Sequence, residues 1–183
     1  MPILLSLLIT ILLPFHAAEG EPPYIPPSKS EIARLKSADV FLARGTMRFE
    51  LFPEDTPAHV VNFKYLADKG FYRGLTFHLI YPQVIIQGGA PNPNLPNSGP
   101  GYSLEPEFSQ RQHVRGTLGM ARLPNEANTE RASHGSQFHI LLAPNHRMDS
   151  QYTIFGQCIF NCELLDEIQK GEKILDIKVY VRN

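Results

Sequence analysis

Few side chains in this 183-residue chain have the chemistry to act on a substrate. Gln87 stands directly before Gly88 and Gly89. An amide side chain there carries two donors and one acceptor and is a candidate site group, the plainer alternative being that it satisfies backbone groups at a strand end. His134-Gly135-Ser136 places a hydroxyl beside an imidazole. A serine nucleophile needs a strand–elbow–helix setting and an acid to orient its base, and neither is evident. His78 follows Phe77 and reads as structural, and His139 as a satisfied histidine of the core or of a pocket wall. Arg122 and Arg147 are most simply solvated surface arginines. Cys158 and Cys162 are separated by three residues. In an oxidising compartment they can pair, but disulfide geometry is demanding, and two buried thiols are the favoured reading. Zinc is not expected, because no second Cys/His pair stands at ligand spacing. No constellation for hydrolysis or metal chemistry emerges.

The elements that must position these groups are short. Sixteen prolines and thirteen glycines imply many turns. The formal charge of −1 carries no basic excess of the kind that marks a nucleic-acid binder. Ile3–Leu13 is apolar apart from Ser6 and Thr10. That run is too short to span a bilayer and fits the core of a secretory signal, with Ala18-Glu19-Gly20 as a small-x-small cleavage site, although no Lys or Arg precedes it. The chain therefore divides into a signal peptide at 1–20, a proline-rich linker and short helix at 21–37, and one folded domain at 38–183. Ser30 is placed as the cap of a helix over Glu31–Lys36. Val40–Ala43 and Thr46–Phe52 flank Arg44-Gly45 as a hairpin, with Met47, Phe49 and Leu51 on one face. Thr56-Pro57 opens a helix that buries Val60, Phe63 and Leu66 and ends at Gly70. A second helix is placed at Glu163–Gln169. Thr76–Ile80, Val84–Gln87, Thr117–Met120, Gln137–Leu142, Tyr152–Phe155 and Ile174–Val181 read as strands of a barrel or sandwich.

Three segments carry a family resemblance. Phe77-His78-Leu79-Ile80-Tyr81-Pro82-Gln83-Val84-Ile85-Ile86-Gln87-Gly88-Gly89 is similar to the cyclophilin block Phe-His-Arg-x-Ile-Pro-x-Phe-x-x-Gln-Gly-Gly. Gly116-Thr117-Leu118-Gly119-Met120-Ala121-Arg122 resembles its Gly-x-Leu-x-Met-Ala segment, and Gly135-Ser136-Gln137-Phe138-His139-Ile140 its Gly-Ser-Gln-Phe-Phe-Ile. Met148-Asp149 and Tyr152-Thr153-Ile154-Phe155-Gly156 follow as in the family, and Gly99-Pro100-Gly101-Tyr102 with Glu107-Phe108 resembles a loop of bacterial-type members. By these motifs, in this order, the chain is identified as a member of the cyclophilin-type prolyl isomerases. The resemblance implies a mainly β fold, a closed eight-stranded antiparallel barrel capped by two α-helices. It also implies that proline-containing polypeptide is the partner, with no cofactor, no metal, no nucleic acid and no stable membrane span. The chain is expected to be monomeric and exported, periplasmic or secreted.

The family's chemistry is rotation about an X-Pro bond, against a resonance barrier of ~20 kcal/mol. The twisted state has a pyramidal prolyl nitrogen that accepts a hydrogen bond, and in cyclophilins an arginine donates it. Here that position is Leu79, which has no donor, and losing one such donor typically costs on the order of 10²–10³ in rate. The family glutamine is kept as Gln87, and Ala121 is kept beside the peptide groove. Arg122 sits where the family uses main-chain groups. The proline pocket is reshaped: Val84 and Ile85 replace the aromatic and Met positions, His139 the next aromatic, Met148 the leucine and Arg147 the tryptophan. Tyr152 stands at the family histidine, as in many bacterial-type members. The sequence thus points to an exported foldase of reduced efficiency, or alternatively to a non-catalytic chaperone or assembly module that holds proline-containing segments.

Overall fold

The computed structural model describes residues 20–95 and 97–182, so all of the expected signal peptide except Gly20 lies outside the described residues. The sequence alternation of the first hairpin becomes β1 (Leu35–Leu42) and β2 (Gly45–Leu51), paired from Leu42↔Gly45 outward. Met47, Phe49 and Leu51 are all buried, as period two requires. Leu35, Lys36 and Ser37, read from sequence as the end of the linker and helix, already belong to β1. The short helix α1 is Lys29–Ile32, and its cap is Ser28, not Ser30. Ser28 and Glu31 form a reciprocal capping box, which explains the shift: only Ser28 has a glutamate three residues on.

Helix α2 spans Pro57–Asp68 and buries Val60, Phe63 and Leu66. Gly70 takes φ +67° and stops it. Thr56 does not cap it by side chain; its hydroxyl donates to the Phe52 carbonyl. The open N–H groups of Ala58 and His59 donate instead to the two oxygens of Glu107, at 3.1 and 3.0 Å. A carboxylate from a distant loop thus does the capping, with favourable charge at the helix N-terminus.

The remaining strands are β3 (Leu79–Tyr81), β4 (Ile85–Gly88), β5 (Ser103–Leu104), β6 (Thr117–Met120), β7 (Ser133–His134), β8 (Phe138–Leu141), β9 (Ile154–Phe160) and β10 (Asp176–Val181). Eight of the ten strands among the described residues form one antiparallel sheet in the order β10-β1-β2-β9-β6-β8-β4-β3, and β5 pairs β7 apart from it. The expected barrel closure is not made. β3 has three residues and β10 starts only at Asp176, so the end strands never come into register. The loops before them are stitched instead, by a Thr76–Lys173 bridge and bonds such as Gly74 N–H to the Ile174 carbonyl at 2.8 Å.

The expected second α-helix is a 3₁₀ turn at Cys162–Asp166, entered through Asn161 at φ 53°. That left-handed residue brings the Cα atoms of Cys158 and Cys162 to 5.9 Å, and they form a disulfide rather than two thiols. The favoured thiol reading is corrected by a turn that spacing alone did not reveal. Among the described residues no helix is long and apolar enough to cross a membrane.

The core lies between the sheet and α2. Phe138 is 0% exposed and meets Phe63, Tyr72 and Phe77 edge-on. Phe138→Ala should therefore cost ~3–5 kcal/mol in denaturant titration; a loss under ~1 kcal/mol would contradict this packing. Replacing both Cys158 and Cys162 by Ser should cost about 2 kcal/mol, the loop-closure entropy of so short a bridge. Indistinguishable urea midpoints for the two proteins would show that the bridge does not contribute.

Candidate active site

The site is laid out by strand register. Leu79 on β3 faces Gln87 on β4, Gln87 faces His139 on β8, and His139 faces Gly119 on β6. Directly opposed residues share a face, so these four form one row across four strands. The neighbours of opposite parity, Ile86, Phe138 and Ile140, are in the core. The row therefore lies on the other face of the sheet, with Ile85 beside Gln87 by the same alternation.

Glycines let this row pack. A Cβ on Gly119 would fall 2.5 Å from His139 Nε2, so the imidazole occupies that space. Gly89 has φ +88°, and a Cβ there would lie 2.3 Å from the Ser136 carbonyl. The Ser136 hydroxyl donates to the Gly89 carbonyl at 2.8 Å, which makes Ser136 a structural clip between β4 and the turn before β8.

Gln87 does not satisfy backbone with its side chain. Its Nε2 donates to Gln137 Oε1 at 2.9 Å, and Gln137 Nε2 donates to the Ser98 carbonyl at 2.9 Å. Ala121, at 7% exposure, is knitted to the same turn: its N–H donates to the Gln137 carbonyl, and its carbonyl accepts from His134 N–H.

His139 is 1% exposed. Its ring stacks on His113 at 6.1 Å and meets Tyr152 edge-on at 5.7 Å. Burial first, then the neighbouring His113, pushes its pKa down to about 3, so it is neutral at physiological pH. His113 is also lowered by burial, opposed by its bond to Asp149. Asp149 Oδ1 receives both the His113 backbone N–H at 2.7 Å and ring Nδ1 at 2.9 Å. An ionised carboxylate only accepts, so Nδ1 carries the hydrogen. Neither His113 Nε2 nor His139 Nε2 has a partner among the described residues.

Tyr152 links this pair to Arg122, whose guanidinium lies 4.5 Å over the phenol ring. Arg122 Nε donates to the Gln151 carbonyl and Nη1 to the Leu123 carbonyl, both at 2.9 Å. Arg122 is thereby held against its own flank and is not a plain solvated arginine. Arg147 is exposed in the 3₁₀ turn His146–Met148, followed by half-buried Met148, whose carbonyl accepts from Tyr152 N–H. Val84, 46% exposed, sits in the turn between β3 and β4. The structure thus ties Leu79, Gln87, His139, Ala121, Tyr152 and Arg122 together by register, ring contact or hydrogen bond. Val84, Arg147 and Met148 lie in the flanking turns.

Sequence reasoning missed His113, Asp149, His134 and Gln137 as site groups. Gln137 and Asp149 stood inside quoted motifs, whereas nothing local marked His113.

Three comparisons bear on this geometry. A family model described as "Cyclophilin type peptidyl-prolyl cis-trans isomerase/CLD" matches residues 37–181. A peptidyl-prolyl cis-trans isomerase of Synechococcus elongatus is 36% identical over 138 residues, covering 74% of this chain and 90% of the relative. Peptidyl-prolyl cis-trans isomerase B of Bacillus subtilis is 35% identical over 135 residues, covering 73% and 90%. The crystal structure of a Cryptosporidium parvum cyclophilin-type isomerase superposes with TM-score 0.68 at 27% identity, covering 81% of this chain and 99% of that one. The same protein was also solved in the presence of the dipeptide Ala-Pro. With the motifs, the strand row and the matched span in agreement, this chain belongs to the cyclophilin-type peptidyl-prolyl cis-trans isomerase family.

Proposed function

We propose that this protein binds proline-containing segments of exported polypeptides over the Leu79–Gln87–His139 row and isomerises them with reduced efficiency. The observation that carries this reading is the pairing of Leu79 with Gln87. It puts an aliphatic side chain beside the retained amide, where the family has its donor. The discriminating question is whether another guanidinium supplies that donor. Arg122 is committed to the Gln151 and Leu123 carbonyls and to the Tyr152 ring. Arg147 is exposed in a separate turn. Ground-state binding and catalysis should therefore come apart, since only interactions stronger in the twisted state accelerate the reaction.

A protease-coupled proline-peptide assay tests this. The protein should bind proline peptides weakly and turn them over far more slowly than an arginine-bearing relative. Leu79→Arg should raise the rate more than tenfold, since about 1.4 kcal/mol of transition-state stabilisation suffices, and should change turnover more than affinity. Full activity in the unmodified protein would overturn the reading and direct attention to Arg122 and Arg147. No gain from Leu79→Arg would favour the second reading, a non-catalytic proline-peptide chaperone or assembly module, which the donor-less Leu79 also supports.

Export is part of the same proposal. It rests on the apolar run Ile3–Leu13 with Ala18-Glu19-Gly20, and the Cys158–Cys162 disulfide suits an oxidising compartment. Mass spectrometry of the native protein should find an N-terminus near Glu21. Intact Met1 in the cytoplasmic fraction would refute it.

A further inference from the structure

The retained Gln87 takes its orientation from Gln137, so what orients Gln137 matters to the site. An amide side chain can be turned end for end at little cost, unless its surroundings distinguish oxygen from nitrogen. Gln137 Nε2 faces the Ser98 carbonyl at 2.9 Å, which accepts only, and this fixes Oε1 toward Gln87 Nε2. The arrangement holds only while the Ser98 carbonyl and the Gln137 backbone stay in place, and both are set around one imidazole.

His134 lies in β7, its backbone paired with Ser103 and its N–H given to the Ala121 carbonyl. Its Nδ1 faces the backbone N–H groups of Ser136 and Gln137 at 3.1 and 3.0 Å. Both are donors, so Nδ1 bears the lone pair and the ring hydrogen sits on Nε2. The ring interacts with the backbone of Asn97. The ring also fills the space beside Gly99, where a Cβ would lie 2.2 Å from its Cε1. One neutral imidazole thus closes the 134–137 turn from below and seats the 97–99 loop, including the Ser98 carbonyl, from the side. Gln137 Nε2 is 3.3 Å from His134 Nε2, and since both bear hydrogen this is a packing contact, not a bond. The orientation of the Gln137 amide is therefore set by the Ser98 carbonyl and not by the ring itself.

We propose that His134 is a positioning residue. It holds the 134–137 turn and the 97–99 loop in the one arrangement that orients the Gln137 amide, and through Gln137 it fixes the donor face of Gln87 for a bound prolyl peptide. The role in peptide binding rests on the groove reading above; the orientation of the two amides does not. Burial holds the ring in the neutral form that this arrangement requires, with its pKa down to about 4; the backbone bond to Asn97 opposes that shift and the nearby His78 adds to it.

The test compares His134→Ala, His134→Asn and Gln87→Ala with the wild-type chain. Asn keeps a short acceptor able to take backbone N–H groups two and three residues on, as in Asx turns, whereas Ala has none. Two readouts are used: affinity for an Ala-Pro-containing tetrapeptide, and the side-chain amide resonances of Gln87 and Gln137 in 15N NMR. His134→Ala should weaken binding about tenfold, the scale of one lost hydrogen bond, and match Gln87→Ala in doing so. The Gln87 and Gln137 amide resonances should collapse toward solvent-averaged positions in His134→Ala and return in His134→Asn. Unchanged amide resonances in His134→Ala would overturn the proposal, as would peptide affinity within twofold of wild type when Gln87→Ala has lost it. If Gln87→Ala leaves affinity unchanged, the groove reading fails, and the amide resonances alone decide the role of His134. Should His134→Ala not fold, Gly99→Ala displaces the ring from the loop side, and the same loss of amide dispersion is expected; its absence would refute the proposal equally.

Discussion

The register between β4 and β8 is the constraint on which the rest of this molecule depends. With Ile86 opposite Ile140 and Gly88 opposite Phe138, one parity of both strands enters the aromatic core around Phe63 and Tyr72. The other parity, Gln87 opposite His139, is thereby delivered to the opposite face. A slip of one residue would exchange the two sets, expelling Phe138 and burying Gln87. Core packing and site geometry are therefore the same physical commitment, and the energy that places the amide comes from the phenylalanine beside it.

A chain of polar groups surrounds that row, and each is defined by what the next can donate or accept. Ser136 clips β4 through the Gly89 carbonyl, Gln137 orients Gln87, and His134 serves the turn that carries both. On the other side Asp149 sets the tautomer of His113, which stacks on His139, and Tyr152 carries the contact on to Arg122. Leu79 adds nothing to this network, because it can neither donate nor accept. On the proposed reading, a site preorganised around its glutamine with Leu79 at the donor position is better suited to holding a ground-state peptide than to stabilising a twisted one.

Much of this was legible in the sequence because it follows from local rules. Alternation marked Met47, Phe49 and Leu51 for the core, Thr56-Pro57 and Gly70 bracketed α2, and the ordered motifs named the family and exposed Leu79 as the departure. What only the tertiary structure decided involves partners distant in the chain or a backbone conformation that spacing does not reveal. Glu107 replaces Thr56 as the helix cap, a left-handed Asn161 converts a helix into a 3₁₀ turn and two thiols into a disulfide, and mismatched end strands leave the sheet unclosed. Arg122 reads as solvated until Tyr152 is seen beneath it, His134 draws notice only for a nucleophile arrangement it does not form, and nothing local marks His113. The roles of Arg122 and His113 are set by groups that face them from tens of residues away, and periodicity and capping rules hold no information about that.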